Sequence, residues 1–368
     1  MEKAGLEGIV AADSAVSHVD GQAGKLIYRG YEVQDLAANC TFEQVAHLIW
    51  RGALPTAAEL VALKRTLAAH RPLSEQMAHV LSELPASAPP MSVLRTCVSI
   101  IGLSDPRAES PEAGVNLEIA EELTAQMSSI VASIHRIRRG LPPVRPEPGL
   151  SHAGNFLYML TGKRPSDLAE EVFDDCLVLH VDHGFNASTF TARVIASTLS
   201  DLYSAITGAI GALRGPLHGG ANQHVMEMLE QIGEPARAAD YVKGLLAAKK
   251  KVMGFGHRVY KTGDPRAAVL RRWSRTLGEK LGDTRWADIS AIIEQVMADE
   301  KGLDCNVDFY SASVYHMLGI PNDLFTPIFA VARVVGWTAH VLEQYANNRL
   351  IRPLSNYTGP LGLRAAPR

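Results

Sequence analysis

The chain is 368 residues long, 47% apolar and 20% charged, with a formal net charge of -3. That length is too great for one ordinary core and implies two domains, or one large domain carrying a smaller lobe, with a cleft between them. The near-neutral charge leaves no electrostatic footprint for nucleic acid or an anionic membrane, and the composition is that of a soluble globular protein.

The opening residues, MEKAGLEGIVAADS, have neither the apolar region of a secretion signal nor the arginine-rich, acid-poor character of a transit peptide, so a cytoplasmic location is expected. Cys40, Cys97, Cys176 and Cys305 lie far apart without a C-x-x-C pair; they read as core thiols in a reducing compartment. Residues 9–30 alternate like a strand, and the D-G signal at Asp20 and Gly21 ahead of Leu26 and Tyr28 predicts a small hairpin.

From Val33 onward helical signals dominate. Thr41 with Gln44, and Thr56 with Glu59, fit the capping box and precede apolar runs at helical spacing; the first of these helices should stop near Gly52. Further helices are expected at about 57–70, 74–84, 91–103, 115–139, 152–161 and 166–181. The most apolar continuous stretch, Ala205 to Leu213, is about half of what a membrane crossing requires and reads as a buried helix. Its small residues Ala205, Gly208, Ala209, Gly211 and Ala212 admit a second helix at close range, and a subunit contact is the expected use. Beyond GPLHGG (215–220), segments at about 221–232, 235–250, 265–281 and 285–301 form a compact helical lobe before the chain returns through NVDFY into an apolar segment from Leu324 to about Tyr345. The expected fold class is mostly α.

Three short motifs carry little. GFGHRV at 254–259 lacks the third glycine of a dinucleotide fingerprint and follows lysines, not a strand. GLSHA at 149–153 ends in alanine where a nucleophile elbow needs glycine. HVDH at 180–183 spaces two imidazoles for zinc, but no further ligand completes a set, so no metal is expected and His180 reads as a satisfied helix histidine. What survives is a constellation: His218 in GPLHGG, His257 in GFGHRVYKTGDPR and Asp308 in NVDFYS, each beside backbone-permissive or helix-starting residues. Singly each has a plain structural reading; Asp308, for one, is a candidate N-cap for 309–317.

With these stretches the sequence resembles the citrate synthase family, over nearly its full length. DGQAGKLIYRGY, LSHAGNFLYM (150–159), HVDHGFNASTFTAR (180–193), DLYSAITGAIGALRGPLHGGAN (201–222) and FTPIFAVARVVGW (325–337) extend the match in order. The resemblance implies a two-domain helical fold, with a large domain of residues 1–218 and 314–368 and a small mobile domain of residues 219–313. It also implies a homodimer whose partner completes the site, and condensation of acetyl-CoA with oxaloacetate and water to citrate and CoA without metal or cofactor. Asp308 would then take a proton from the thioester methyl while neutral His218 donates to the developing enolate oxygen. His257 would polarise the oxaloacetate carbonyl. Arg266, Arg333 and, across the dimer, Arg352 would clamp its carboxylates, with His183 a further contact.

For CoA the resemblance points to Val252, Met253, Gly254, Phe255 and Gly256, and to Lys261 at a phosphate; Lys249, Lys250, Lys251 and Arg258 add positive charge nearby. It gives no chemical role to Asp182. The β-rich N-terminal segment of hexameric, NADH-inhibited members is absent, and a dimer without that control is expected. Two alternatives stand beside this reading: a 2-methylcitrate synthase using propionyl-CoA, and a helical scaffold without chemistry, which would have no physical need for His218, His257, Asp308 and Arg266 together.

Overall fold

The computed structural model describes residues 4–6, 8–257 and 259–365. Three short antiparallel strands, β1 (Ser17–Asp20), β2 (Lys25–Tyr28) and β3 (Tyr31–Glu32), form one sheet in that order. β1 pairs with β2 from Ser17↔Tyr28 to Asp20↔Lys25, which places the turn at 21–24. The hairpin is thus shorter than the alternating stretch of 9–30 and gains a third strand.

Sixteen α-helices follow among the described residues. The first ten are α1 (Val33–Asn39), α2 (Phe42–Arg51), α3 (Ala57–His70), α4 (Glu75–Glu83), α5 (Pro90–Ser104), α6 (Ala113–Arg138), α7 (His152–Thr161), α8 (Asp167–His180), α9 (Ala187–Ala196) and α10 (Leu202–Leu213). The last six are α11 (Ala221–Ile232), α12 (Pro235–Ala247), α13 (Pro265–Leu281), α14 (Arg285–Lys301), α15 (Val307–Met317) and α16 (Phe325–Ala346). Both capping boxes form: Thr41 N–H donates to Gln44 Oε1 at 2.9 Å and Thr56 N–H to Glu59 Oε2 at 2.8 Å. α2 ends at Gly52, whose φ of 82° a residue with a side chain rarely adopts.

Three helices depart from expectation. α9 is concealed in the sequence by its β-branched residues Thr189, Thr191, Val194 and Ile195, which lower helix propensity. Asn186 starts it, its side-chain oxygen accepting from Ser188 N–H and Thr189 N–H at 3.1 Å each, and packing against α10 and α16 holds it. α12 stops at Ala247, short of 250, because Lys249 turns to a φ of 55°. α15 is capped by Asn306 and not by Asp308: Asn306 Oδ1 accepts Asp308 N–H at 3.1 Å, which leaves the Asp308 carboxyl free of the cap.

α16 is the central core helix, packed by α2, α5, α6, α8, α9 and α10. By length and composition alone it is apolar enough to cross a membrane, but 94% of its most apolar window is buried inside the fold. At Gly208 of α10 an added Cβ would collide with Ile195 of α9, so the close approach read from the small residues is made at least partly within the chain. The four cysteines are free, and Cys40 is only half-buried, unlike the other three. Helices α11 to α15 pack on one another, with α13 meeting α1 and α8, and α11 meeting α16. A cavity opens where this group meets β1, the α8–α9 segment and α16.

Candidate active site

A cavity of about 540 Å³ is lined by His183, His218, His257, Arg266, Asp308 and Arg333. These six residues, remote in the chain, therefore share one space. Sequence reasoning singled out each of them.

His218 lies in the turn between α10 and α11, two residues before Gly220, which caps α11 in the left-handed region at φ 87°. A Cβ on Gly219 would strike the Leu213 carbonyl, so the chain needs glycine to turn this tightly. The His218 ring is held from the start of α9: Ser188 N–H donates to Nε2 at 3.2 Å, and Ser188 Oγ lies 2.8 Å from the same nitrogen. Because a backbone N–H only donates, Nε2 accepts and the ring proton resides on Nδ1. Burial, with the Arg333 charge second, pushes His218 down to about 4, so the ring is neutral near pH 7. Helix α9 points its positive N-terminal end at the ring and opposes protonation in the same sense.

His257 shows the mirror arrangement. Its Nδ1 accepts Val259 N–H at 3.0 Å and Tyr260 N–H at 3.1 Å, which places the proton on Nε2. Burial and then Arg266 push it down to about 4. His183 packs edge-on against His257, ring centroids 5.2 Å apart, and its Nε2 lies 3.1 Å from the Tyr260 hydroxyl. Burial, then Arg266 and Arg333, hold His183 well below its ordinary value. All three imidazoles are thus neutral at pH 7.

Asp308 stands in the first turn of α15, partly exposed, and lines the cavity. Burial pushes its carboxyl up to about 6 against the opposing pull of Arg266, with Asp264 adding to the rise. Arg266 is buried and doubly paired: Nε donates to Asp264 Oδ1 at 2.9 Å and Nη2 to Oδ2 at 2.7 Å. Asp264 Oδ2 also accepts Val307 N–H at 3.0 Å, so one carboxylate ties Arg266 on α13 to the start of α15 beside Asp308. Arg333 projects from α16, with Nε donating to the His180 carbonyl at 2.7 Å. His180, read from the sequence as a satisfied helix histidine, is satisfied at one nitrogen: Nδ1 lies 2.5 Å from the Cys176 carbonyl, while buried Nε2 meets no hydrogen-bond partner among the described residues. Among the described residues no group of three or more His, Cys, Asp or Glu is arranged to hold a metal ion.

The chain matches the family described as citrate synthase, C-terminal domain, over residues 5–354. It belongs to the citrate synthase family. The citrate synthase of Haloferax volcanii is 51% identical over 99% of this chain and 98% of its own length. The 2-methylcitrate synthase of Mycobacterium tuberculosis H37Rv is 47% identical over 97% of this chain and 90% of its own. The crystal structure of citrate synthase from Pyrobaculum aerophilum superposes with a TM-score of 0.92 at 43% identity, covering 99% of this chain and 94% of that one. A ternary complex of the Thermoplasma acidophilum citrate synthase with carboxymethyl coenzyme A and oxaloacetate also gives 0.92, at 32% identity, covering 99% and 97%. The mostly helical fold with its small sheet is that of these citrate synthases, and as a member of the family the protein is an acyltransferase.

Three groups of expected residues lie outside this cavity. The loop at 252–256 runs alongside 304–306: Asn306 N–H donates to the Gly254 carbonyl at 2.9 Å and Gly256 N–H to the Asp304 carbonyl at 3.0 Å. Val252 and Gly254 are buried, while Met253, Phe255 and Gly256 keep partial exposure, and the Phe255 ring packs on Phe309 at 4.6 Å. Lys261 is exposed in a pocket of about 190 Å³ behind His257, its N–H donating to the Gly21 carbonyl at 2.8 Å. Lys249, Lys250 and Lys251 are exposed, and Arg258 lies outside the described residues. Arg352 is exposed and lines a separate groove of about 1200 Å³ with Arg193 and Glu343, away from the six cavity residues of its own chain.

Sequence reasoning passed over the residues that hold those side chains: Ser188 for His218, Tyr260 for His183 and Asp264 for Arg266. Two local signals were available: Asn186, whose type announces a helix start, and Asp264, a cap residue two positions before Arg266. Ser188 and Tyr260 act across long sequence separations that no local pattern encodes.

Proposed function

We propose that the protein condenses acetyl-CoA with oxaloacetate to form citrate and CoA. The observation that carries this reading is the shared cavity of an acid with a raised pKa and two neutral, oppositely tautomeric imidazoles. An ionised Asp308 accepts a proton from the thioester methyl, and His218 Nδ1–H donates to the oxygen on which enolate charge develops. His257 Nε2–H donates to the oxaloacetate carbonyl, whose carbon the enolate attacks. Each such donor stabilises developing charge by a few kcal/mol in a site that excludes water. Hydrolysis of the resulting citryl thioester releases CoA and draws the sequence forward. The chemistry assigned to these residues requires no metal.

Arg266 and Arg333 present fixed cations for the two oxaloacetate carboxylates, with His183 beside them, and Arg352 serves the partner subunit's cavity in a homodimer. The loop from Val252 to Gly256 receives the adenine and Lys261 a phosphate. Residues 219–313 move as a small domain against residues 1–218 and 314–368; the left-handed Gly220 suits a hinge at the first crossing, and since residues 313 and 314 both lie within α15, the second crossing turns about an end of that helix. Four free thiols suit a cytoplasmic location.

Oxaloacetate-dependent thiol release from acetyl-CoA, with citrate as product, tests the reading, and well-folded protein that releases none overturns it. The Mycobacterium tuberculosis relative supports a second reading, in which propionyl-CoA gives 2-methylcitrate. One methyl group in an apolar pocket is worth about 1–3 kcal/mol, so kcat/KM for the two thioesters separates the readings.

A further inference from the structure

Asp182 and His340 have no part in the chemistry above, and both side chains are completely buried. A buried carboxylate is expensive unless several donors meet it. At Asp182 three do so on one oxygen, Oδ2: Ser17 Oγ, Gly184 N–H at 3.0 Å and His340 Nε2 at 3.2 Å. They come from three parts of the chain, namely β1, the segment before α9, and α16. Each of these parts supplies cavity wall: Ser17, His18 and Val19 from the first, the run from His183 to Ala187 from the second, Phe329 and Arg333 from the third.

The backbone of Asp182 is pinned as well. The Tyr28 hydroxyl donates to its carbonyl at 2.8 Å and accepts its N–H at 3.1 Å. α16 approaches so closely that a Cβ on Gly336 would lie 2.6 Å from Asp182 Oδ1. On its far side His340 Nδ1 lies 3.2 Å from Arg193 Nη1, which also donates to Glu343 Oε2 at 2.7 Å. Guanidinium only donates, so His340 accepts at Nδ1 and its proton faces Asp182 from Nε2.

We propose that Asp182 and His340 are a positioning pair for the substrate cavity, in which the imidazole orients the carboxylate and the carboxylate holds β1, the 183–187 segment and α16 at the spacing that aims His183 at oxaloacetate. The proposal rests on the condensation reading. Wild-type turnover tests that reading, and comparison of variants with wild type tests the pair, so the two failures are distinct.

The test is steady-state kinetics of His340→Leu and His340→Gln in the full-length protein. Leucine removes both nitrogens, whereas the glutamine amide supplies one donor and one acceptor. His340→Leu is expected to raise the oxaloacetate KM about tenfold or more while kcat and the acetyl-CoA KM stay within about threefold, the pattern of a lost binding orientation. His340→Gln is expected to return the oxaloacetate KM to within about threefold of wild type. Should the leucine variant not fold, Tyr28→Phe, which releases the Asp182 backbone and does not line the cavity, is expected to raise that KM about threefold with kcat unchanged. An oxaloacetate KM that is unmoved in these variants, a kcat that falls as far as KM rises, or glutamine performing no better than leucine would each overturn the pair.

Discussion

Ser188 N–H stands 3.2 Å from Nε2 of His218 and can only donate to it. A main-chain group thereby decides which nitrogen of the imidazole carries the proton, and no substitution at position 188 other than proline removes it. The free donor is Nδ1–H, and with the ring pushed down to about 4 it remains a neutral donor across the physiological range.

Nitrogen-15 spectra of histidine-labelled protein should accordingly show His218 as the Nδ1–H tautomer, without titration above about pH 5. A resonance assigned to His218 that titrates near 6.5 would contradict both burial and the Ser188 contact. His218→Ala should lower kcat about 10²–10³-fold, as loss of an oxyanion donor does, with oxaloacetate affinity nearly unchanged by calorimetry.

In the proposed mechanism Asp308 acts only when ionised, and its carboxyl is pushed up to about 6. The acid limb of kcat/KM should therefore fall with decreasing pH and be half-maximal near 6. Activity that is flat down to about pH 4.5 would exclude this residue as the base. The stability sign follows from linkage. A carboxyl whose folded pKa is raised binds more protons in the folded than in the unfolded state, so its contribution is progressively lost as pH climbs from its ordinary value through about 6. Asp308→Asn should nearly abolish turnover yet raise stability at pH 7 by on the order of 2 kcal/mol, read from denaturant midpoints.

Asp264→Asn keeps the shape of the carboxylate but leaves Arg266 buried with half its partner. Breaking a buried pair costs about 3–5 kcal/mol when one charge is stranded. The variant should melt at a lower temperature and bind oxaloacetate more weakly. Burial raises the Asp264 carboxyl but Arg266 outweighs it and depresses it overall, so the pair's stabilisation is present at neutral pH and lost as pH falls into the carboxylate range. Unaltered melting and KM would show that the bidentate contact matters to neither.

Gly254 has φ 82°, and a Cβ there would lie 2.8 Å from the Phe309 ring and 2.9 Å from Val225 Cγ2. Gly254→Ala should displace the loop to which CoA is assigned, raising the acetyl-CoA KM several-fold with oxaloacetate binding intact. Equal changes in both KM values would move the CoA contacts elsewhere.

Much of the architecture is legible in local chemistry. The capping boxes at Thr41 and Thr56, the stop at Gly52 and the long apolar segment of α16 each depend on residues within a few positions of one another, which is the range over which helix caps and periodicity act. α9 was hidden because its β-branched residues obey a tertiary demand stronger than propensity. The plain structural alternative for Asp308, a helix cap, was open in the sequence for a related reason: Asn306 and Asp308 are both good caps by type, and the structure gives the cap to Asn306.

The sequence by itself determined the helical class, singled out His218, His257, Asp308, His183, Arg266 and Arg333 as candidates, and placed the glycines that let the chain turn beside them. Tertiary structure alone decided that these six side chains face one cavity, which nitrogen of His218 and of His257 bears the proton, and how far Asp308 is drawn from solvent. Residue type and short spacing are properties of the chain, whereas tautomer, burial and charge coupling are fixed by groups such as Ser188, Tyr260 and His340 that reach the site only when distant segments pack.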